Sequence, residues 1–386
     1  MTNLSRRNFI AGSAALAVSV AARPGLSIPS APFNPRRILV GSGTPDGILG
    51  FAWDANTGEL SPEGIAVSVS HSTWLHLSAD RRLLYVACEL EEFQGKPTGA
   101  VASFALGEKV SPISIVPSEG RGTCHLTTDH TDRVVICANY SGGTTTSFLT
   151  ANGKLTEAWT EKYSGHGPVA DRQEMAHAHF ASLSPDNRFA YINDLGSDKI
   201  HIYKLDTASG KLTPAGAYDA KPGDGPRTLH FHAGGKVAYC VNELTATVTV
   251  LQHNAADGSL HPIQTVALLP EGTAIKHGDI TNTGCDAVLT RDGRFAYFAN
   301  RGDDFLASFH IDPVTGKLAL FPTDARIPSG GKTPRNFTLD PTGRWMLVAN
   351  QNSSNLSVFA RDPKTGVLSG EGKNYPAATP MCIVFV

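Results

Sequence analysis

Charge is scarce in this 386-residue chain: 18% of the residues are Asp, Glu, Lys or Arg, and the formal net charge is −2. That balance gives no basis for binding nucleic acid or an anionic membrane surface. The six cysteines, Cys88, Cys124, Cys137, Cys240, Cys285 and Cys382, form no CxxC pair, which argues against a zinc site. Long helical periodicity is missing after the first thirty residues, so a two-domain α/β reading fails. The apolar run from Ile10 to Val20 is too short for a permanent transmembrane helix, and no other segment looks like one, so stable membrane insertion is not expected. Neither a nucleophile elbow, an HExxH pair, a phosphate loop nor a dinucleotide fingerprint occurs in a supporting context.

Turn formers and apolar residues are plentiful. Hydrophobic residues make up 41% of the chain, with 38 Gly and 24 Pro. That suits a sizeable core broken by many turns. The N-terminus reads separately from the rest. Ser5-Arg6-Arg7-Asn8-Phe9-Ile10, the apolar run and the small pair Ala21-Ala22 resemble a twin-arginine signal. Residues 1–30 are therefore expected to be a signal peptide and linker, and residues 31–386 one domain. The protein is expected to be exported by the twin-arginine machinery to the periplasm. Such a compartment permits disulfides. Cys124 and Cys137 fall on the two strands of one hairpin, which leaves a pairing between them open, although most of the cysteines sit in apolar strands as small buried side chains.

Self-similarity decides the fold class. A turn, an apolar strand and a closing residue recur as Asp80-RRLLYVAC, Thr131-DRVVICAN, Asp186-NRFAYIND, Gly234-GKVAYCVN, Asp292-GRFAYFAN and Thr342-GRWMLVAN. The period is about 50 residues, that of four-stranded propeller blades. A second motif, DANTGEL at 54–60 through DPKTGVL at 362–368, marks an outer hairpin in each unit except the one ending near Pro117. The first unit has three strands and lacks an inner one. The C-terminal stretch from Thr379 to Val386 resembles the inner strand beginning at Thr333. An all-β, seven-bladed propeller follows, with blade 1 closed by the C-terminal strand, which removes two open edges.

Residues shared by every blade are there for packing; a polar residue in one blade needs another reason. Counting back seven from each turn reaches Thr73, Cys124, His179, Arg227, Cys285 and Arg335, with Met381 aligned to Arg335. The residues after the closing positions include Glu89, Tyr140, Glu243 and Arg301. Because the two strands of a hairpin run antiparallel, both sets lie at one end of the channel. His179, Arg227, Glu243, Arg301 and Arg335 then share one mouth. Guanidinium forks suit a carboxylate or phosphate, and His179 or Glu243 suits proton transfer. The competing reading is a structural network, Arg227 with Glu243 and Arg301 with Asp303. His177 supports the site from the same strand as His179, and Asn336 binds substrate or a neighbouring strand. His230 and His232 read as packing or inter-blade groups, and Arg188, Arg294 and Arg344 as structural.

His177-AHFASLSPDNRFAYINDLGSDKI, Gly225-PRTLHFH, AYCVNEL, Phe295-AYFANRGDD and Pro334-RNFTLDPTGRWMLVANQ resemble the seven-bladed lactonase propellers. That family includes propeller-type 6-phosphogluconolactonases and carboxy-cis,cis-muconate cyclases. The resemblance implies a lactone-handling site in the channel mouth that needs no metal or other cofactor. By motif it assigns active-site roles to His179, Arg227, Glu243 and Arg301. The expected substrate is a small lactone or anionic carboxylate, opened as a 6-phosphogluconolactonase opens its own. The alternatives are a cyclase that forms a lactone from an unsaturated diacid, and a non-catalytic binding propeller. Two departures stand out. Thr228 follows Pro226-Arg227 where the family commonly has His, and Ala233 follows Phe231-His232 where it commonly has Pro. Export also sits poorly with a cytoplasmic phosphosugar substrate.

Overall fold

A computed structural model describes residues 35–273, 275 and 282–386. The Arg6-Arg7 segment and the boundary at residue 30 lie outside the described residues. Among the described residues, strands form seven sheets, six of four strands and one of five. Blade 1 combines Pro380–Phe385 with Arg37–Ser42, Ile48–Asp54 and Glu59–Val67. Ile38 pairs with Phe385 and Gly41 with Cys382, so the C-terminal strand supplies the inner strand of the first blade. Blades 2 to 7 follow in chain order. Their inner strands are Ser72–Leu77, Thr123–Thr128, Ala178–Leu183, Pro226–Phe231, Thr283–Leu289 and Pro334–Leu339.

Alternation along each strand puts apolar side chains on both faces of the inner sheets. The core therefore lies between neighbouring blades. Val237, Tyr239 and Val241 of blade 5 pack on Ala296, Phe298 and Phe309 of blade 6. Tyr297 of blade 6 packs on Phe337 and Phe359 of blade 7. Each such buried side chain is worth about 1.5–3 kcal/mol.

The two repeated motifs lock into each other. Tyrosines of the second strand reach glycine carbonyls in the outer hairpin of the next blade. Tyr191 donates to Gly258 at 2.9 Å, Tyr239 to Gly316 at 2.8 Å and Tyr297 to Gly366 at 2.5 Å. Arg294 and Arg344, from the turn of the first motif, also donate to the outer hairpin of the next blade round the ring: Arg294 to Pro363 O at 2.8 Å, Arg344 to Ala55 O of blade 1 at 2.8 Å. His232 makes another inter-blade bond, to Gly293 O at 3.1 Å. The closing asparagines are buried staples; Asn350 donates to Ser329 O at 3.1 Å and Ser357 Oγ at 2.9 Å.

Two details depart from expectation. The outer strand of blade 6 is split into Leu318–Leu320 and Arg326–Pro328, both paired to Phe305–Ile311. Pro322 lies in the break, where its missing N–H cannot continue the ladder. The cysteines are free and buried. Cys137 stands opposite Leu126 rather than Cys124, and Cys124 directs its Sγ to His179 O at 3.3 Å. The Cys124–Cys137 disulfide is thus not formed: the register puts the two side chains out of step.

Candidate active site

The inner strands share a local irregularity that creates the site. In every blade, the pairing of the inner strand with the second strand skips a residue near one end of the channel. The skipped residues are Thr73, Cys124, His179, Arg227, Arg335 and Met381. In blade 6 the pair Cys285-Asp286 lies opposite the single residue Ala299. A bulge leaves the extra residue outside the ladder and re-aims its side chain. The seven-residue count from each turn therefore lands on bulges all round the channel.

Glu243 is the centre of the mouth. It is 2% exposed, and its backbone is tied on both sides: its N–H donates to Gly225 O at 2.8 Å, and its carbonyl accepts from Gly284 N at 3.0 Å. Gly225 has φ 62°, and a Cβ there would meet Leu244 Cγ at 2.6 Å. Only glycine lets the chain turn this tightly into the Arg227 strand. Arg227 Nε donates to Glu243 Oε2 at 2.8 Å, and its Nη1 to Cys285 O at 2.6 Å. Arg301 Nη2 lies 2.9 Å from the same Oε2, while its Nε donates to Thr283 Oγ1 at 2.9 Å. Arg172 donates to Oε1. Burial alone would push the Glu243 carboxyl up, but Arg301, Arg172 and Arg227 outweigh it and hold it well below the ordinary range.

Arg172 has no counterpart in the sequence reading. It comes from residues 163–177, the stretch between the outer strand Lys154–Lys162 of blade 3 and the inner strand of blade 4. Gln173 anchors this stretch. It is fully buried, donates to Leu195 O at 2.9 Å and accepts from Val169 N at 3.2 Å. The clue available in the sequence was a run without strand pattern and outside the repeat, carrying Asp171-Arg172-Gln173.

His179 is 8% exposed, and its Nδ1 is buried with no hydrogen-bond partner among the described residues. Its ring meets Tyr140 edge-on, centroids 5.6 Å apart. Burial first, and then the charge of Arg227, pushes its pKa well below 6.5, so the imidazole is neutral. The remaining residues stand further from this cluster. His177 stacks on Tyr140 at 4.4 Å and has Nε2 3.1 Å from Glu174 Oε1. Arg335 faces Glu89 at 3.5 Å. Asn336 is spent inside the ring: it donates to Asp286 Oδ2 at 2.9 Å and accepts from Ile383 N at 3.0 Å. Asp303, the expected partner of Arg301, accepts from Asn282 at 3.2 Å instead. Thr228, at the departure from the family pattern, leaves its Oγ1 buried and unpartnered among the described residues.

A cavity of about 580 Å³ occupies one mouth and a more polar one of about 530 Å³ the other. The 530 Å³ cavity is lined by Arg172, Glu243, Arg301, Asp304 and Lys332. Lys332 Nζ lies 3.4 Å from Asp304, so the rim is near neutral. The floor is not, since three guanidiniums face one carboxylate.

The family model "Lactonase, 7-bladed beta-propeller" matches residues 37–385. The chain belongs to the seven-bladed lactonase family. A 6-phosphogluconolactonase of Bacillus subtilis is 31% identical over 89% of this chain and 95% of its own length. A protein of the same name from Formosa agariphila is 31% identical, covering 83% and 90%. Among solved structures, the periplasmic gluconolactonase PpgL of Pseudomonas aeruginosa superposes with a TM-score of 0.83 at 31% identity, covering 91% of this chain and 98% of that one. Among lactonase-family propellers, then, this chain resembles proteins named for lactones both with and without a phosphate.

Proposed function

We propose that this lactonase-family chain hydrolyses a small lactone of the sugar-acid class that carries a carboxylate or phosphate, in the cavity floored by Glu243. The observation that carries this reading is the convergence of Arg172, Arg227 and Arg301 on one buried carboxylate. Glu243 cancels one charge and holds the forks in place, and the surplus positive charge is left for substrate. Arg172 and Arg301 line the cavity and meet the anion; Arg227 sits behind them, braced by Glu243 and Cys285 O. Each charge-assisted contact contributes about 1.5–3 kcal/mol.

His179 is the better general base. Both oxygens of Glu243 are occupied by guanidiniums, so a proton there would break ion pairs. The His179 imidazole is neutral and keeps a lone pair on one ring nitrogen. It takes a proton from water as the water oxygen bonds to the lactone carbonyl carbon. Arg301 stabilises the tetrahedral oxyanion. The intermediate collapses, the ring C–O bond breaks, and His179 returns the proton to the leaving alkoxide. Lactone and water thus become one hydroxy acid. A positioned base contributes about 10²–10⁴-fold. His177, Arg335 and Asn336 support this site without forming its centre; Asn336 acts by fixing the inner strands.

Purified protein should be offered glucono-δ-lactone, its 6-phospho form and 3-carboxy-cis,cis-muconate in parallel. Turnover of the 6-phospho lactone in preference to the uncharged one supports the reading. Consumption of the muconate alone makes the chain a cyclase, and inertness to all three with capture of a protein partner makes it a binding propeller. Export to the periplasm is part of the proposal, supported by Arg6-Arg7 and by the periplasmic relative. Replacing both arginines with Lys should retain the protein in the cytoplasm; unchanged periplasmic yield would refute it.

A further inference from the structure

The inner strands run away from the arginine mouth and end at the other opening of the channel, around the 580 Å³ cavity. Its chemistry is different. Lysine and arginine are absent from the described lining, which instead carries His76, His125, His230, Trp74 and Phe180. The His125 ring lies 3.7 Å from Phe180 and 4.3 Å from Trp74 by centroids, and His230 lies 5.2 Å from Phe180. Together they make a continuous aromatic surface across blades 2 to 5. The imidazoles do not converge as ligands: among the described residues, no group of three His, Cys, Asp or Glu is placed to hold a metal ion.

The polar atoms of the lining are few and specific. Ala181 N donates to His125 Nδ1 at 3.2 Å. Nδ1 is therefore the acceptor, and the ring proton sits on Nε2 as a donor. Ser182, 9% exposed, has a buried Oγ without a partner, and so does Trp74 Nε1, among the described residues. His230 Nε2 stands 3.1 Å from Asp286 Oδ1, off the line of a well-formed hydrogen bond. Asp129 lines the cavity with Oδ2 taken by Thr131 and Asn187 and Oδ1 by the N–H groups of Arg133 and Val134. Burial holds His76 down at about 4 and, with repulsion from its neighbours, His125 well below 6.5. An anion would meet carboxylates here and no fixed cation.

We propose that this mouth is a second ligand site, separate from the arginine mouth, that takes an uncharged sugar ring. The ring's C–H face lies on the aromatic surface, and its hydroxyls meet His125 Nε2, Trp74 Nε1 and Ser182 Oγ. A buried donor left unpaired costs free energy that such a hydroxyl recovers, and an aromatic wall with a few fixed polar groups is the usual build of a small-molecule site.

Saturation-transfer NMR with methyl β-D-glucoside tests this on the full protein, with D-gluconate as the anionic counterpart. The glucoside should give a saturable signal and gluconate none that responds to changes in this mouth. His125→Phe keeps the ring and removes the donor; it should weaken the glucoside about fivefold or more, the equivalent of one net hydrogen bond, with lactone turnover unchanged. Ser182→Ala should weaken it in the same direction and carries the test if His125→Phe fails to fold. Absence of saturable binding to the wild type overturns the proposal. So does binding that survives both substitutions, or that is lost in Arg172→Ala instead.

Discussion

At the scale of single residues, Glu243 ties stability to the proposed activity. Its ionised form is held by Arg172, Arg227 and Arg301. Glu243→Gln leaves buried guanidiniums unpaired, which should cost about 3–5 kcal/mol of stability. The pH dependence has a definite sign. The folded pKa is depressed below the unfolded value of 4.5, so the stabilisation is complete above about pH 4.5 and is lost as pH falls further. Melting of the wild type and of Glu243→Gln should therefore differ most near neutrality and converge in acid. A constant gap would show that the carboxylate charge is not what holds the cluster. His179 sets a second test. Its pKa lies well below 6.5, so as the proposed base it stays available in mild acid. The acid limb of kcat/KM should lie well under pH 6.5, and His179→Asn should lower kcat about 10²-fold or more. A limb centred at 6.5 in the wild type would point to another base.

Elements explain why these residues meet. The bulge in each inner strand turns a residue that a regular strand would hold in the ladder toward the channel. In blades 4 and 5 that residue is His179 or Arg227; in blades 2 and 3 it is Thr73 or Cys124. The same backbone device thus serves packing in one blade and the proposed chemistry in the next. The stretch from Tyr163 to His177 does the opposite: it leaves the repeat to deliver Arg172. Arg172→Ala removes a charge from the cavity floor while Arg227 and Arg301 still pair Glu243. It should raise KM for an anionic lactone roughly tenfold or more, a loss of about 1.5–3 kcal/mol, and leave KM for an uncharged lactone nearly unchanged. Equal losses on both substrates would mean that Arg172 acts through the fold. Gln173 holds this stretch from within, so Gln173→Ala should reproduce the Arg172 phenotype in weaker form.

For the whole molecule, closure is the decisive event. Pro380–Phe385 pairs with Arg37–Ser42 across nearly the full chain length. Arg81 Nη1 donates to Phe385 O at 3.0 Å, and Ile383 N to Asn336 Oδ1 at 3.0 Å, which bind the last strand to both neighbouring blades. Deleting Met381 to Val386 exposes strand edges in blade 1. It should abolish the single cooperative melt and raise aggregation. A truncated protein that melts like the full chain would show that blade 1 does not need this strand. Ring closure also matters for chemistry, because the channel and its two mouths exist only when all seven inner strands surround it.

Much of this was legible before any coordinates. The repeat period and turn motifs dictate blades, because each four-stranded unit must bury its faces against another like it. The match between Thr379-Pro-Met and Thr333-Pro-Arg announces the closing strand. Polar residues at repeat positions where other blades carry small or apolar ones single out His179, Arg227, Glu243 and Arg301, since packing repeats and chemistry does not. Three things were decided only in the folded molecule. The partner of Arg301 is Glu243 rather than Asp303 because its guanidinium reaches across to blade 5, while the Asp303 carboxylate is turned to Asn282. Arg172 joins the cluster through a segment with no period to read. Cys124 and Cys137 stay apart because the hairpin register, set by its turn, places Leu126 opposite Cys137.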